Sequence, residues 1–117
     1  MDAFFTSTFA STDTQPWTEL GNGIRRKVVG HTPALMAVIV EFDKGAIGTP
    51  HSHDAHDQIC FVLAGSFDAE VAGVKRLLRK GDAYIVPPNT LHGVVALEDK
   101  SVLLDHFTPR REDYLGP

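Results

Sequence analysis

From Gln58 to Leu97 the chain reads QICFVLAGSFDAEVAGVKRLLRKGDAYIVPPNTLHGVVAL, and this stretch decides the fold class. Its apolar or alternating runs, Gln58–Ala64, Phe67–Val71, Val74–Arg79, Ala83–Val86 and His92–Leu97, have no helical period and are too short for helices. Between them stand Gly65, Ala72-Gly73, Lys80-Gly81-Asp82 and Pro87-Pro88-Asn89. Glycine and asparagine accept positive φ and proline fixes φ at about −65°, so these separators are turns. Working outward, Ile24–Val29 and Leu35–Phe42 add runs upstream and Val102–Phe107 adds one downstream. Some eight strands with no helices to cover a parallel sheet predict an all-β antiparallel barrel, or double-sheet jelly roll, over 24–107. An N-terminal arm over 1–22 and a charged tail over 108–117, with one helical turn, complete a single domain spanning 1–117.

Composition narrows the partners. The net charge of −4 has no basic block behind it beyond Arg25-Arg26-Lys27, which argues against nucleic acid. The single cysteine, Cys60, excludes an intrachain disulfide framework and suits a reducing compartment. Met1-Asp2-Ala3-Phe4-Phe5 lacks the basic and apolar regions of a signal peptide, and no stretch approaches the ~20 apolar residues that span a bilayer. A cytoplasmic protein without membrane contact is expected. Phe4, Phe5, Phe9 and Trp17 are too many rings for a free arm, so a homodimer is predicted.

Three histidines carry the chemistry. His51 and His53 stand two apart beside a predicted strand, where i and i+2 side chains share a face, and His92 opens a later strand just after a proline turn. Gln58 begins the run between them. Imidazoles with an amide oxygen suit one divalent ion among Ni, Zn, Mn, Fe, Co and Cu. His31, His56 and His106 are isolated and read as surface or structural residues. Strand parity puts Cys60 and Val62 on the face of Gln58, and Val94 and Ala96 on that of His92. The same parity groups Ser101, Leu103, Asp105 and Phe107, a carboxylate beside a ring in an apolar interior. Such an acid is either a general acid or base or half of a structural ion pair with an arginine.

Two spacings resemble the paired motifs of the cupins. Gly45, five residues, His51-Ser52-His53, four residues, Gln58, six residues, Gly65 is similar to the first motif, with Gln where Glu is usual. Gly81, five residues, Pro87-Pro88-Asn89, two residues, His92 is similar to the second, with Asn89 for its usual Gly and Ala96 for its usual Asn. The resemblance implies a metal held by His51, His53, Gln58 and His92. Replacing Glu by Gln leaves the ion's charge uncompensated, which favours an anionic substrate and a Lewis-acid role and departs from the two-histidine, one-carboxylate set of many iron oxygenases.

The segment Asp105-His106-Phe107-Thr108-Pro109-Arg110-Arg111 narrows the resemblance to small cupins of the pectin-degradation type, which ketonise 4,5-unsaturated monouronates. By that likeness Asp105 moves the proton, Arg111 binds the substrate carboxylate and Phe107 lines the site. Cys60 departs from the polar residue that those cupins tend to carry. A metal-dependent isomerase on a small anionic, sugar-like substrate is therefore expected, with a cupin dioxygenase and a non-catalytic sugar-binding cupin as alternatives. The barrel itself does not choose among them.

Overall fold

The computed structural model of the chain describes residues 7–115. Ten strands follow one another: β1 Thr18–Gly21, β2 Ile24–Thr32, β3 Leu35–Phe42, β4 Ile47–His51, β5 Asp57–Ala64, β6 Ser66–Val71, β7 Val74–Arg79, β8 Ala83–Val86, β9 His92–Ala96 and β10 Ser101–Thr108. They form a six-stranded sheet in the order β1-β2-β3-β10-β5-β8 and a four-stranded sheet in the order β4-β9-β6-β7, paired antiparallel throughout. A short 3₁₀ turn precedes β1 at Thr12–Thr14, and a second lies in the tail at Glu112–Tyr114, where one helical turn is expected from the sequence. No helix among the described residues is long and apolar enough to cross a membrane.

Every predicted run is a strand, and two strands were not predicted. Both lie at sheet edges, where a strand has one hydrogen-bonded neighbour and needs no apolar face. In β4 the sequence Ile47-Gly48-Thr49-Pro50-His51 carries a proline, which an edge tolerates because one side of the strand requires no donors. β1 is exposed along its whole length and is signalled only by Asn22-Gly23, both at positive φ, the two-residue turn that joins it to β2.

The core lies between the sheets. Phe42 of β3 meets Phe67 of β6 edge to face, with centroids 5.2 Å apart, and Cys60, Val62, Leu78, Val94 and Leu103 pack around them. A second cluster of Met36, Val38 and Phe107 fills the other end, closed by Tyr114 and Leu115 of the tail. The arm packs partly on its own chain: Lys27 lies 4.3 Å from the Trp17 ring and donates to the Thr12 carbonyl, and Gln15 donates to that of Val28. Phe9 is 89% exposed, while Phe4 and Phe5 lie outside the described residues.

Gly65 joins β5 to β6 at φ +72°, and a Cβ there would fall 2.1 Å from Ser101 Oγ and 2.9 Å from Ser101 Cα. Gly73, in the β6–β7 hairpin at φ +81°, has nothing within 4 Å of its Cβ position. Gly73→Ala therefore carries only the left-handed penalty of ~1–2 kcal/mol. Gly65→Ala adds overpacking and is expected to cost ~2–5 kcal/mol. Urea denaturation of the two variants checks the difference.

Candidate metal centre

His51 ends β4, His53 lies just beyond it, and His92 opens β9 directly across from His51. The ring centroids are 4.7 Å apart for His51 and His53, 4.4 Å for His51 and His92, and 5.1 Å for His53 and His92. One ligating nitrogen from each lies within 4.8 Å of the others. The backbone fixes two of the rings. His51 Nδ1 is 2.8 Å from the Thr49 carbonyl and His92 Nδ1 is 2.9 Å from that of Thr90. A carbonyl only accepts, so each Nδ1 carries the proton and each Nε2 keeps its lone pair, the state a metal requires. His53 is held through its backbone, whose carbonyl accepts from Asn89 N–H. Asn89 sits at φ +61°, the left-handed conformation that the usual glycine of this turn supplies and that asparagine also tolerates.

Gln58, Cys60 and Val62 face the interior from β5, as parity predicts, and so do Ser101, Leu103, Asp105 and Phe107 from β10. Gln58 Nε2 donates to Asp105 Oδ1 at 3.0 Å, which leaves Gln58 Oε1 buried without a protein partner. Among the described residues, His53 Nε2 and His92 Nε2 are likewise buried without hydrogen-bond partners. Buried polar atoms are almost always satisfied, so three orphaned acceptors in one pocket fit a cation. The donor set suits a borderline divalent metal.

Burial sets the protonation of this pocket. Desolvation lowers His53 to about 4, assisted by the nearby Arg111 charge and by His51 and His92. It lowers His92 as well. Asp105 is pushed upward by burial, against the opposing pull of hydrogen bonds from Cys60 and Gln58. Cys60 and Tyr84 are also raised by burial, which keeps both protonated.

The tail brings the cation. Arg111 lies 5.1 Å from the Phe107 centroid and 4.3 Å from that of Tyr114, and Asp113 chelates it, accepting from Nε at 2.9 Å and Nη2 at 2.7 Å. Arg26 of β2 stacks on Tyr114 at 3.8 Å. Sequence reasoning did not single out Asp113 and Tyr114, which hold Arg111, or Tyr84, which packs against the central core. Tyr84 is the direct cross-strand partner of Cys60. The other histidines take supporting contacts: His56 Nε2 lies 3.3 Å from the Arg110 carbonyl, His31 Nδ1 3.2 Å from Arg110 Nη1, and His106 Nδ1 3.3 Å from the Ile59 carbonyl. A separate concavity of about 460 Å³ lies on the four-stranded sheet, lined by Ile47, Asp68, Glu70, Lys75 and Leu77, and contains none of the three converging histidines.

Residues 38–107 match the model of the cupin domain family. The chain belongs to the cupins. It is 56% identical over 103 residues to the pectin degradation protein KdgF of Dickeya dadantii, covering 88% of this chain and 94% of that one. Among solved structures, KdgF from Halomonas sp. superposes with a TM-score of 0.90 at 50% identity, covering 93% of this chain and 99% of that one. An RmlC-like cupin from Shewanella frigidimarina follows at 0.89 and 37%, covering 94% and 97%.

The His53 shift fixes the sign of a pH dependence for this cupin. Its folded pKa of about 4 lies below the ordinary 6.5, so between those values the unfolded chain binds more protons. Stability is fully present above 6.5 and declines as the pH falls toward 4. In the presence of a chelator, urea denaturation across that window is expected to show this decline, and His53→Gln to flatten it.

Proposed function

We propose that this cupin is a metal-dependent isomerase that ketonises small 4,5-unsaturated uronates. The observation that carries the reading is a buried carboxylate, Asp105, hydrogen-bonded to Gln58 within a pocket of three converging histidines. The 56% identity to a pectin degradation protein supports the substrate class.

His51, His53 and His92 would hold one divalent ion through their Nε2 atoms and Gln58 through Oε1. Bound there, the ion supplies Lewis acidity to a substrate oxygen. Ketonisation is a net isomerisation: a hydroxyl loses its proton, the ring C–O bond opens to an aldehyde and an enolate, and a carbon gains that proton as the enolate becomes a ketone. Asp105 takes the first proton and returns one to carbon, ending as it began. Burial raises its proton affinity and suits it to that transient load. Arg111 receives the substrate carboxylate; Asp113 engages Nε and Nη2, so Nη1 is its remaining edge. Phe107, between His53 and Tyr114, supplies an apolar wall that excludes water.

A homodimer is part of this proposal, supported by the exposed Phe9 and by Ile59 and Ile85, which pair across the outer face of the six-stranded sheet. So is a cytoplasmic location, supported by the lone free thiol of Cys60.

The test is the ultraviolet absorbance of the conjugated double bond of an unsaturated monouronate, followed with metal-loaded protein. Wild type is expected to remove it far faster than buffer; equal rates sink the reading. Asp105→Asn should keep its metal and lose roughly 10²-fold or more in turnover. Arg111→Ala should raise KM more than it lowers kcat, because a carboxylate clamp binds ground and transition states alike. Gln58→Glu should tighten metal binding and slow turnover, since a carboxylate partly neutralises the ion.

A further inference from the structure

Proton transfer as proposed makes no use of the buried thiol of Cys60 or the half-buried phenol of Tyr84. They occupy adjacent strands in register with the acid: Asp105 of β10 pairs with Cys60 of β5, and Cys60 pairs with Tyr84 of β8. All three project from the inner face of the six-stranded sheet. Cys60 has no exposed surface, and Tyr84 packs half-buried against the central core. Directly paired side chains on one face are neighbours, and a carboxylate only accepts, so in such a row the Cys60 thiol would donate to Asp105 and the Tyr84 hydroxyl to the Cys60 sulfur. The row therefore runs in one direction, from phenol to thiol to acid, and meets Gln58 at Asp105.

We infer that Cys60 and Tyr84 are positioning residues for proton transfer, giving the Asp105 carboxylate a second donor beside Gln58. The inference rests on the proposed role of Asp105. Gln58 alone engages one oxygen and leaves the carboxylate free to turn about its last torsion, which is broad for aspartate. A second donor from the neighbouring strand removes that freedom and sends the remaining lone pairs into the pocket. Proton transfer is steeply sensitive to such placement. Tyr84 acts one step further back, holding the sulfur so that its hydrogen points at the acid. A thiol that served only to fill space would be equally well placed beside an aliphatic neighbour; here both flanking partners are polar.

The chain has one cysteine, so its S–H stretching band arises from a single oscillator in a window clear of other protein absorption. In wild type the band is expected at the lowered frequency of a hydrogen-bonded thiol, shifting in Tyr84→Phe and rising in Asp105→Ala. Cys60→Ala and Tyr84→Phe should each lower kcat roughly ten- to hundredfold with KM little changed. Cys60→Ser, which keeps a donor, should recover most of that loss, and metal content should match wild type in all three. A wild-type band at the frequency of a free thiol, unmoved by Tyr84→Phe, overturns the row. Unchanged kcat in both Cys60→Ala and Tyr84→Phe overturns the positioning role, as would a Cys60→Ser no better than Cys60→Ala. If wild type leaves the uronate untouched, the proposed function falls and takes the turnover half of this inference with it, while the band still decides the row.

Discussion

The hydrogen bond from Gln58 Nε2 to Asp105 Oδ1 is the contact on which the centre turns. An amide has two nearly isosteric ends, one that donates and one that accepts. A carboxylate beside it accepts only, so the NH₂ group must face Asp105 and the carbonyl oxygen is left buried without a hydrogen-bond partner among the described residues. Remove that acid and the amide is free to turn a positive edge toward a cation. The bond is possible because β10 lies between β3 and β5, paired on both sides over nearly its whole length. Its alternation is therefore locked, and with it the direction in which Asp105 points.

Electrostatics follow from the same arrangement. No acidic side chain belongs to the cluster of His51, His53 and His92, and His53 is depressed by desolvation and then by the charge of Arg111. Asp113 tempers this. By chelating Arg111 along one edge it offsets much of the guanidinium charge, while Tyr114 and Phe107 hold the group flat against the mouth of the barrel. The result is a stacked and partly neutralised guanidinium, a geometry that a lysine's point charge would not reproduce.

Much of this was legible in the sequence, for definite reasons. Ser101, Leu103, Asp105 and Phe107 announce their shared face because β10 alternates over a full strand, and the observed burial alternates with them. His51 and His53 were paired by strand parity; they do converge, but β4 ends at His51, and His53 is placed instead by the hydrogen bond from Asn89 to its backbone. Tyr84 escaped because Ala83–Val86 is four residues of unbroken apolar character, with Ile85 63% exposed, so nothing in the run says which parity faces inward. Asp113 and Tyr114 escaped because they reach the site from a tail whose path no period encodes. The edge strands β1 and β4 escaped because an edge is held by backbone pairing more than by apolar burial.

The orphaned acceptors in the pocket bear on the protein's life in the cell as well as its chemistry. His53 Nε2, His92 Nε2 and Gln58 Oε1 are withdrawn from water with no hydrogen-bond partner among the described residues, so folding the metal-free chain runs against a local penalty. An ion that enters this pocket relieves the penalty only in the folded state, and such a ligand shifts the folding equilibrium in proportion to the logarithm of its free concentration. For a chain this small, a few kilocalories decide how often it opens to a protease. Metal supply would thus set the protein's abundance, and a starved cell would clear the metal-free chain.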